Sequence, residues 1–355
     1  MEFLTDYGLF LAKAVTIVAA ILIVITAIVA AAHRNKGDDD SEGELHLKKM
    51  NASYKRLKDS LEEKMLSDEE RKAWDKTRKK EKKAEHKALK AKAKSGDPVE
   101  KPVKSRVFVL DFDGDIKASD TDGLRKSITA VLSVAEPGRD EVVVRLESGG
   151  GLVHSYGLAS AQLDRIRARG VTLTACVDKV AASGGYMMAC VADRIIASPF
   201  AILGSIGVVA QLPNFHRLLQ KNNVDFEVLT AGEHKRTLTV FGENTEKGRE
   251  KFLEDLQDTH VLFKEYVSER RPAVDINAVA TGDIWFGRRA LDVKLIDELK
   301  TSDEYLIEAC DRADVLGVNF RRKRTLPEKL GLAASAALEH SAVRVLSMFR
   351  NRNVL

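Results

Sequence analysis

Hydrophobic positions along this chain fall into sharply different textures. Residues 8–32 read GLFLAKAVTIVAAILIVITAIVAAA, an apolar run broken only by Lys13. As a helix at about 1.5 Å per residue it spans roughly 37 Å, enough to cross a hydrocarbon core of about 30 Å with some tilt. A cleavable signal peptide would have a shorter apolar region behind a basic leader. Here the leader is acidic, with Glu2 and Asp6. The pattern predicts a retained transmembrane anchor over 8–32, with Lys13 snorkelling to the interface.

Residues 33–104 are charged. An acidic patch, DDDSEGE, gives way to the Lys-rich RKAWDKTRKKEKKAEHKALKAKAK. Ala, Lys and Glu favour helix, and only Leu57, Leu61, Met65 and Leu66 offer a narrow apolar stripe. This predicts a solvated, partly helical connector. A contact with anionic lipid or nucleic acid is the sharper alternative. Ser95-Gly96-Asp97-Pro98 and Pro102 end it.

From residue 105 to 320 short apolar runs alternate with helical spacing. RVFVLDF (106–112), DEVVVRLES (140–148) and VTLTACV (171–177) read as strands. DRIIAS (193–198), AILGSIGVVA (201–210) and VDFEVLT (224–230) are further candidates. TDGLRKSITAVLSVA (121–135), capped by Thr121 or Asp122, and SYGLASAQLDRIRARG (155–170), stopped by Gly170, read as helices. A long helix is expected over 245–269, before Pro272. Strands alternating with helices predict a layered α/β domain with a parallel sheet. Residues 321–355 are basic, then amphipathic, fitting packing on the main domain or on another subunit, with membrane-surface binding as the rival.

Composition sharpens this picture. The chain has 355 residues, 44% hydrophobic and 31% charged, so a sizeable core is possible. Its formal net charge of +4 disfavours a uniformly basic nucleic-acid binder. Cys176, Cys190 and Cys310 do not make a disulfide framework, and no Cys/His spacing fits zinc.

Three small-residue segments can carry chemistry. The first, Glu147-Ser148-Gly149-Gly150-Gly151, follows a strand; its backbone N–H groups could form an oxyanion hole or a plain turn. The second is Ala181-Ala182-Ser183-Gly184-Gly185-Tyr186, ahead of a buried helix. Ser183 there reads as an N-cap, but the same placement suits a nucleophile whose neighbouring Gly184 amide faces an oxyanion. The segment lacks the GxSxG pattern. The third, Thr230-Ala231-Gly232-Glu233-His234-Lys235-Arg236, supplies a histidine and a lysine, either of which can act as base for a serine. Residue types leave that choice open.

The segments RLESGGGLVHSYGLA, VDKVAASGGYMMACVADRIIASPFAILGSIGV and VLTAGEHKRTLTVFGE together resemble the bacterial signal peptide peptidase A family, in its short-form, membrane-anchored branch. The resemblance covers roughly residues 105–320. It implies a ClpP/crotonase-like fold and a Ser/Lys dyad: Ser183 as nucleophile, Lys235 as general base, Ser205 orienting the lysine, and Gly150 with Gly184 as the oxyanion hole. The family's Ser-Pro-Gly-Gly loop carries Gly149 here in place of proline, which removes one stiffening residue.

The resemblance also implies polypeptide substrates, no metal or organic cofactor, no nucleic acid partner, a homo-oligomer and an inner-membrane location. The basic residues after the anchor would place the domain in the cytoplasm, whereas the family implies the extracytoplasmic side. A crotonase-like thioester enzyme and an inactive membrane scaffold are the competing readings.

Overall fold

The computed structural model describes residues 43–94 and 104–321. The expected anchor at 8–32 and the tail from 322 lie outside the described residues. Among the described residues, no helix is long and apolar enough to cross a membrane.

The described elements begin with β1 (Glu44–Lys49), α1 (Met50–Met65), α2 (Asp68–Lys94), β2 (Arg106–Gly114), α3 (Thr121–Leu132) and β3 (Glu141–Ser148). Next come α4 (Val153–Ala168), β4 (Thr172–Val177), β5 (Val180–Ala182), α5 (Gly184–Ala189), β6 (Arg194–Ala197) and β7 (Ile202–Gly204). Then follow α6 (His216–Lys221), α7 (Glu246–Arg270), α8 (Ile276–Val279) and β8 (Ile284–Phe286). The last are α9 (Gly287–Asp292), β9 (Glu298–Leu299), α10 (Ser302–Arg312) and β10 (Asp314–Arg321).

The main sheet runs β1-β10-β2-β3-β4-β6-β9, with parallel pairing from β10 through β9. Its middle strands are apolar in unbroken runs because both faces are covered. Successive residues of a strand point to opposite faces. Phe108, Leu110 and Phe112 thus meet Leu124 and Ile128 of α3 and Leu163 and Ile166 of α4. Val107, Val109 and Val143 meet Tyr305, Leu306 and Ala309 of α10 and Met50 of α1. The mixed α/β architecture matches the alternation read from the sequence.

One of two compact units spans His46–Asn319 and so takes in α1 and α2 of the charged stretch, beginning with its first turn. One polar residue secures that turn. Asn51 Nδ2 donates to the carbonyls of Cys310 and Ala313 at 3.1 and 2.9 Å, and Asn51 Oδ1 accepts from Val315 N–H at 2.8 Å. The side chain thereby replaces missing backbone partners at the sheet edge. Beyond it, Leu57, Leu61 and Met65 are exposed.

Local expectations fail in three places. Residues 224–230 form no strand, because their backbone has no neighbouring strand to pair with; Val224, Phe226 and Val228 stay exposed. The 201–210 run is a strand only over β7, since Gly204 (φ 81°) and Ser205 (φ 49°) turn the chain. α3 starts after Asp120 with no side-chain cap; Thr121 Oγ1 donates back to the Ala118 carbonyl at 2.6 Å.

Candidate active site

The site grows from a fork in the sheet. Residues 141–145 of β3 pair with β4, whereas its last residue, Ser148, pairs with Ala181 of β5. β5 in turn pairs with β7, so Ala182 lies beside Gly204. The glycine loop after β3 and the turn after β5 therefore leave the sheet side by side.

Ser183 occupies that second turn. It has φ 52° and ψ −119°, a conformation costly for a residue with a β-carbon. Its backbone is pinned: its N–H donates to the Gly204 carbonyl at 2.8 Å, and its own carbonyl accepts from Met187 N–H at 2.9 Å. The hydroxyl makes no cap hydrogen bond to α5. Ser183 is therefore not the side-chain N-cap that its position alone would suggest. The strand-to-helix turn is thus held by backbone hydrogen bonds, without the GxSxG pattern.

The neighbouring glycines are required by close approach. A β-carbon on Gly184 would sit 2.4 Å from the Tyr156 ring, and one on Gly185 would sit 2.5 Å from the Ser148 carbonyl oxygen. Gly184 is the first residue of α5, so its amide has no carbonyl one turn back within the helix. Gly150 (φ +88°) abuts it: a β-carbon there would lie 2.7 Å from both the Gly184 nitrogen and the Ser183 β-carbon.

Ser148 and Tyr156 shape the glycine loop. The Gly150 N–H donates to Ser148 Oγ at 3.1 Å, so in this state its amide is engaged. Ser148 Oγ lies 2.5 Å from Tyr156 Oη, which donates to the Asp115 carbonyl at 2.7 Å. Burial pushes the Tyr156 hydroxyl above its ordinary pKa, against the Ser148 hydrogen bond that lowers it, so it stays a donor at neutral pH.

Ser205 follows Gly204 and is half-buried, with its N–H on the Asp283 carbonyl at 2.8 Å. The next carbonyl, of Ile206, meets His260 Nε2 from α7 at 3.2 Å. A carbonyl only accepts, so the contact requires the tautomer with hydrogen on Nε2. A cavity of about 290 Å³ opens beside Ser183, walled by Met187, Val208, Leu262, Phe263 and Tyr266.

Ser183, Gly184, Gly150 and, through Gly204, Ser205 are thus brought together. Lys235 is exposed in the irregular segment between α6 and α7; its N–H donates to the Gly232 carbonyl at 3.1 Å. No hydrogen bond joins it to Ser183 or Ser205. His154 is exposed, and His234 lies 3.9 Å from the Glu233 carboxylate. Sequence reasoning missed Ser148, Tyr156 and His260 as shaping groups; for the first two, the signal lay within the RLESGGGLVHSYGLA segment itself. Among the described residues, no cluster of three His, Cys, Asp or Glu could hold a metal.

Comparison with known proteins supplies the family. Residues 2–163 match the model described as Peptidase family S49 N-terminal, and residues 165–316 match Peptidase family S49. A probable protease SohB of Haemophilus influenzae is 49% identical over 99% of this chain and 97% of its own length. That of Buchnera aphidicola subsp. Schizaphis graminum is 43% identical over the whole of both chains. That of the Schlechtendalia chinensis symbiont is 48% identical over 86% of this chain and 99% of its own. Likeness of this extent runs through every segment that builds the site, and the chain accordingly belongs to peptidase family S49 as a SohB-type peptidase.

Proposed function

We propose that the chain is a membrane-anchored serine endopeptidase that cleaves unfolded or signal-peptide-like polypeptides through a Ser183/Lys235 dyad. The observation that carries the reading is the uncapped Ser183 hydroxyl on its strained turn, beside the abutting Gly150 and Gly184. Lys235, in its neutral form, takes the Ser183 proton as Oγ attacks a peptide carbonyl. The amides of Gly184 and Gly150 hold the oxyanion; Gly150 first turns its N–H away from Ser148 Oγ. The lysine returns the proton to the leaving amine, and water resolves the acyl-enzyme. Ser205 orients the lysine.

The exposed Lys235 requires the segment before α7 to be ordered against the site. Leu212, Phe215, Phe226 and Leu229 are exposed in the same region. Apolar exposure of this kind favours burial between copies of the chain, and a homo-oligomer would complete each site in this way. The apolar cavity suits an apolar substrate side chain. Residues 8–32 hold the chain in the bacterial inner membrane, with the peptidase domain on the extracytoplasmic side, on a ClpP/crotonase-like frame. No metal or organic cofactor enters the scheme.

The test is casein hydrolysis by the purified, oligomeric full-length protein, with Ser183→Ala and Lys235→Ala. Loss in both is expected, with intact folding. A Lys235→Ala variant with near-normal turnover would end the dyad and turn attention to His234 or His154. A hydroxyl-directed active-site probe should label the wild type and spare Ser183→Ala.

A further inference from the structure

The α1–α2 hairpin takes no part in the site, yet α2 sorts most of its basic residues by kind. Arg71 pairs with Glu63 of α1 at 2.5 Å, and Arg78 pairs with Asp59 of α1. The Arg78 guanidinium also lies 4.5 Å from the Trp74 ring centroid. Positions 71, 74 and 78 share one helical face, and it is the face turned to α1.

Between residues 72 and 87, six lysines fall on the opposite face, Lys82 alone lying toward the arginines. At about 100° per residue, Lys72, Lys76, Lys79, Lys80, Lys83 and Lys87 fit within an arc of about 100°. All six are exposed, and among the described residues none pairs with an acidic side chain of α1. No acidic position between 72 and 87 falls in that arc. The stripe runs for about 22 Å, well beyond a Debye length of about 8 Å, so a partner must match it as a surface and not as a single charge. Lysine is a hydrated point charge on a flexible stem, suited to a fluid layer of anions, whereas arginine here makes the fixed internal pairs.

We infer that the lysine face of α2 docks on the anionic headgroup layer of the membrane that anchors the chain. This rests on the anchor reading for 8–32. Residues 33–43, between that run and β1, reach at most about 40 Å when extended, so the bilayer is always within range and at high effective concentration. Polybasic segments beside an anchor are attracted to acidic lipid in this way. A single-stranded polynucleotide fits less well, because Trp74 lies on the far face and leaves the stripe without an aromatic for base stacking.

The test uses the full-length chain in phosphatidylcholine nanodiscs, with and without about 30% phosphatidylglycerol. Lysine acylation is mapped by mass spectrometry. The six lysines should be labelled several-fold more slowly in the anionic discs, Lys117 and Lys221 equally in both, and about 0.5 M salt should erase the difference. Equal labelling of the six in both discs would overturn the proposal. So would protection by added DNA or by an acidic polypeptide in neutral discs, with none from phosphatidylglycerol. Retention through an alkaline wash tests the anchor separately. A chain lost from neutral discs but kept and protected in anionic ones would support the lysine face and end the anchor reading. A chain lost from both would end both.

Discussion

A β-carbon on Gly150 would sit 2.7 Å from the amide nitrogen of Gly184. The two loops that flank Ser183 therefore approach as closely as backbone permits. Gly149, one residue earlier, has no atom within 4 Å of its virtual β-carbon. Gly150→Ala is expected to lower kcat by about 10²–10³, the loss typical of a displaced oxyanion donor. Gly149→Ala should keep near-normal turnover. Steady-state kinetics on the two variants, with matched thermal melts, check the contrast.

Ser148 controls the state of the loop. Its Oγ accepts the Gly150 amide at 3.1 Å and rests 2.5 Å from Tyr156 Oη. Ser148→Ala removes that acceptor inside the core and should cost about 1–3 kcal/mol of stability. Tyr156→Phe removes one of the two donors to the Asp115 carbonyl, the Ala118 amide remaining, and should cost less, about 0.5–1.5 kcal/mol. Denaturant unfolding of both variants measures this; a cost near zero in both would remove the network from the account.

Asp140 governs acid stability. Burial alone would raise its pKa, but hydrogen bonds from the Arg106 guanidinium, the Glu136 amide at 2.8 Å, Arg139 and the Arg106 amide outweigh it and hold the carboxyl at about 2. The folded value lies below the ordinary 3.8. The stabilisation is thus complete above about pH 4 and fades as pH falls toward about 2. Asp140→Asn should be destabilised by roughly 1.5–3 kcal/mol at pH 7. Its deficit should narrow between pH 4 and pH 2, as read by denaturant midpoints across that range.

Two thiols should be inert in the folded chain. Burial pushes the Cys190 thiol up to about 12 and the Cys176 thiol higher still. Cys310 is only partly buried. An alkylating reagent at pH 8 should therefore modify Cys310 first, and reach Cys176 and Cys190 only on unfolding. Mass spectrometry after timed labelling reads the order directly.

His260 acts through position. Its ring reaches the Ile206 carbonyl at 3.2 Å, bracing the turn that carries Ser205. His260→Gln retains a donor and should keep most activity, whereas His260→Ala should lower kcat by about tenfold with less effect on KM. Equal kinetics for the two would remove His260 from the site.

The strands at 106–112, 140–148 and 171–177 were legible because their apolar runs are local and covered on both faces. The start of α5 was legible because Ser-Gly-Gly before an apolar helix is a local signal. Residues 224–230 misled for the converse reason: alternation names a strand, but a strand exists only with a partner. The Ser148–Tyr156–Gly150 arrangement needs the β3 fork, and the His260 contact joins positions 54 apart in sequence. Neither is encoded in any short window. Asn51 shows the limit on boundaries, since one amide carries the charged stretch into the sheet edge.

The fork at Ser148 carries a thermal consequence. β3 is a central strand, and the same strand ends in the residue that pairs with the arm bearing Ser183. The turn bearing Ser183 has no independent hinge, so warming cannot loosen it while the sheet stays whole. Hydrogen exchange of the Ser183 amide, held by the Gly204 carbonyl, should then track global melting, with no interval in which that turn is open and the sheet whole.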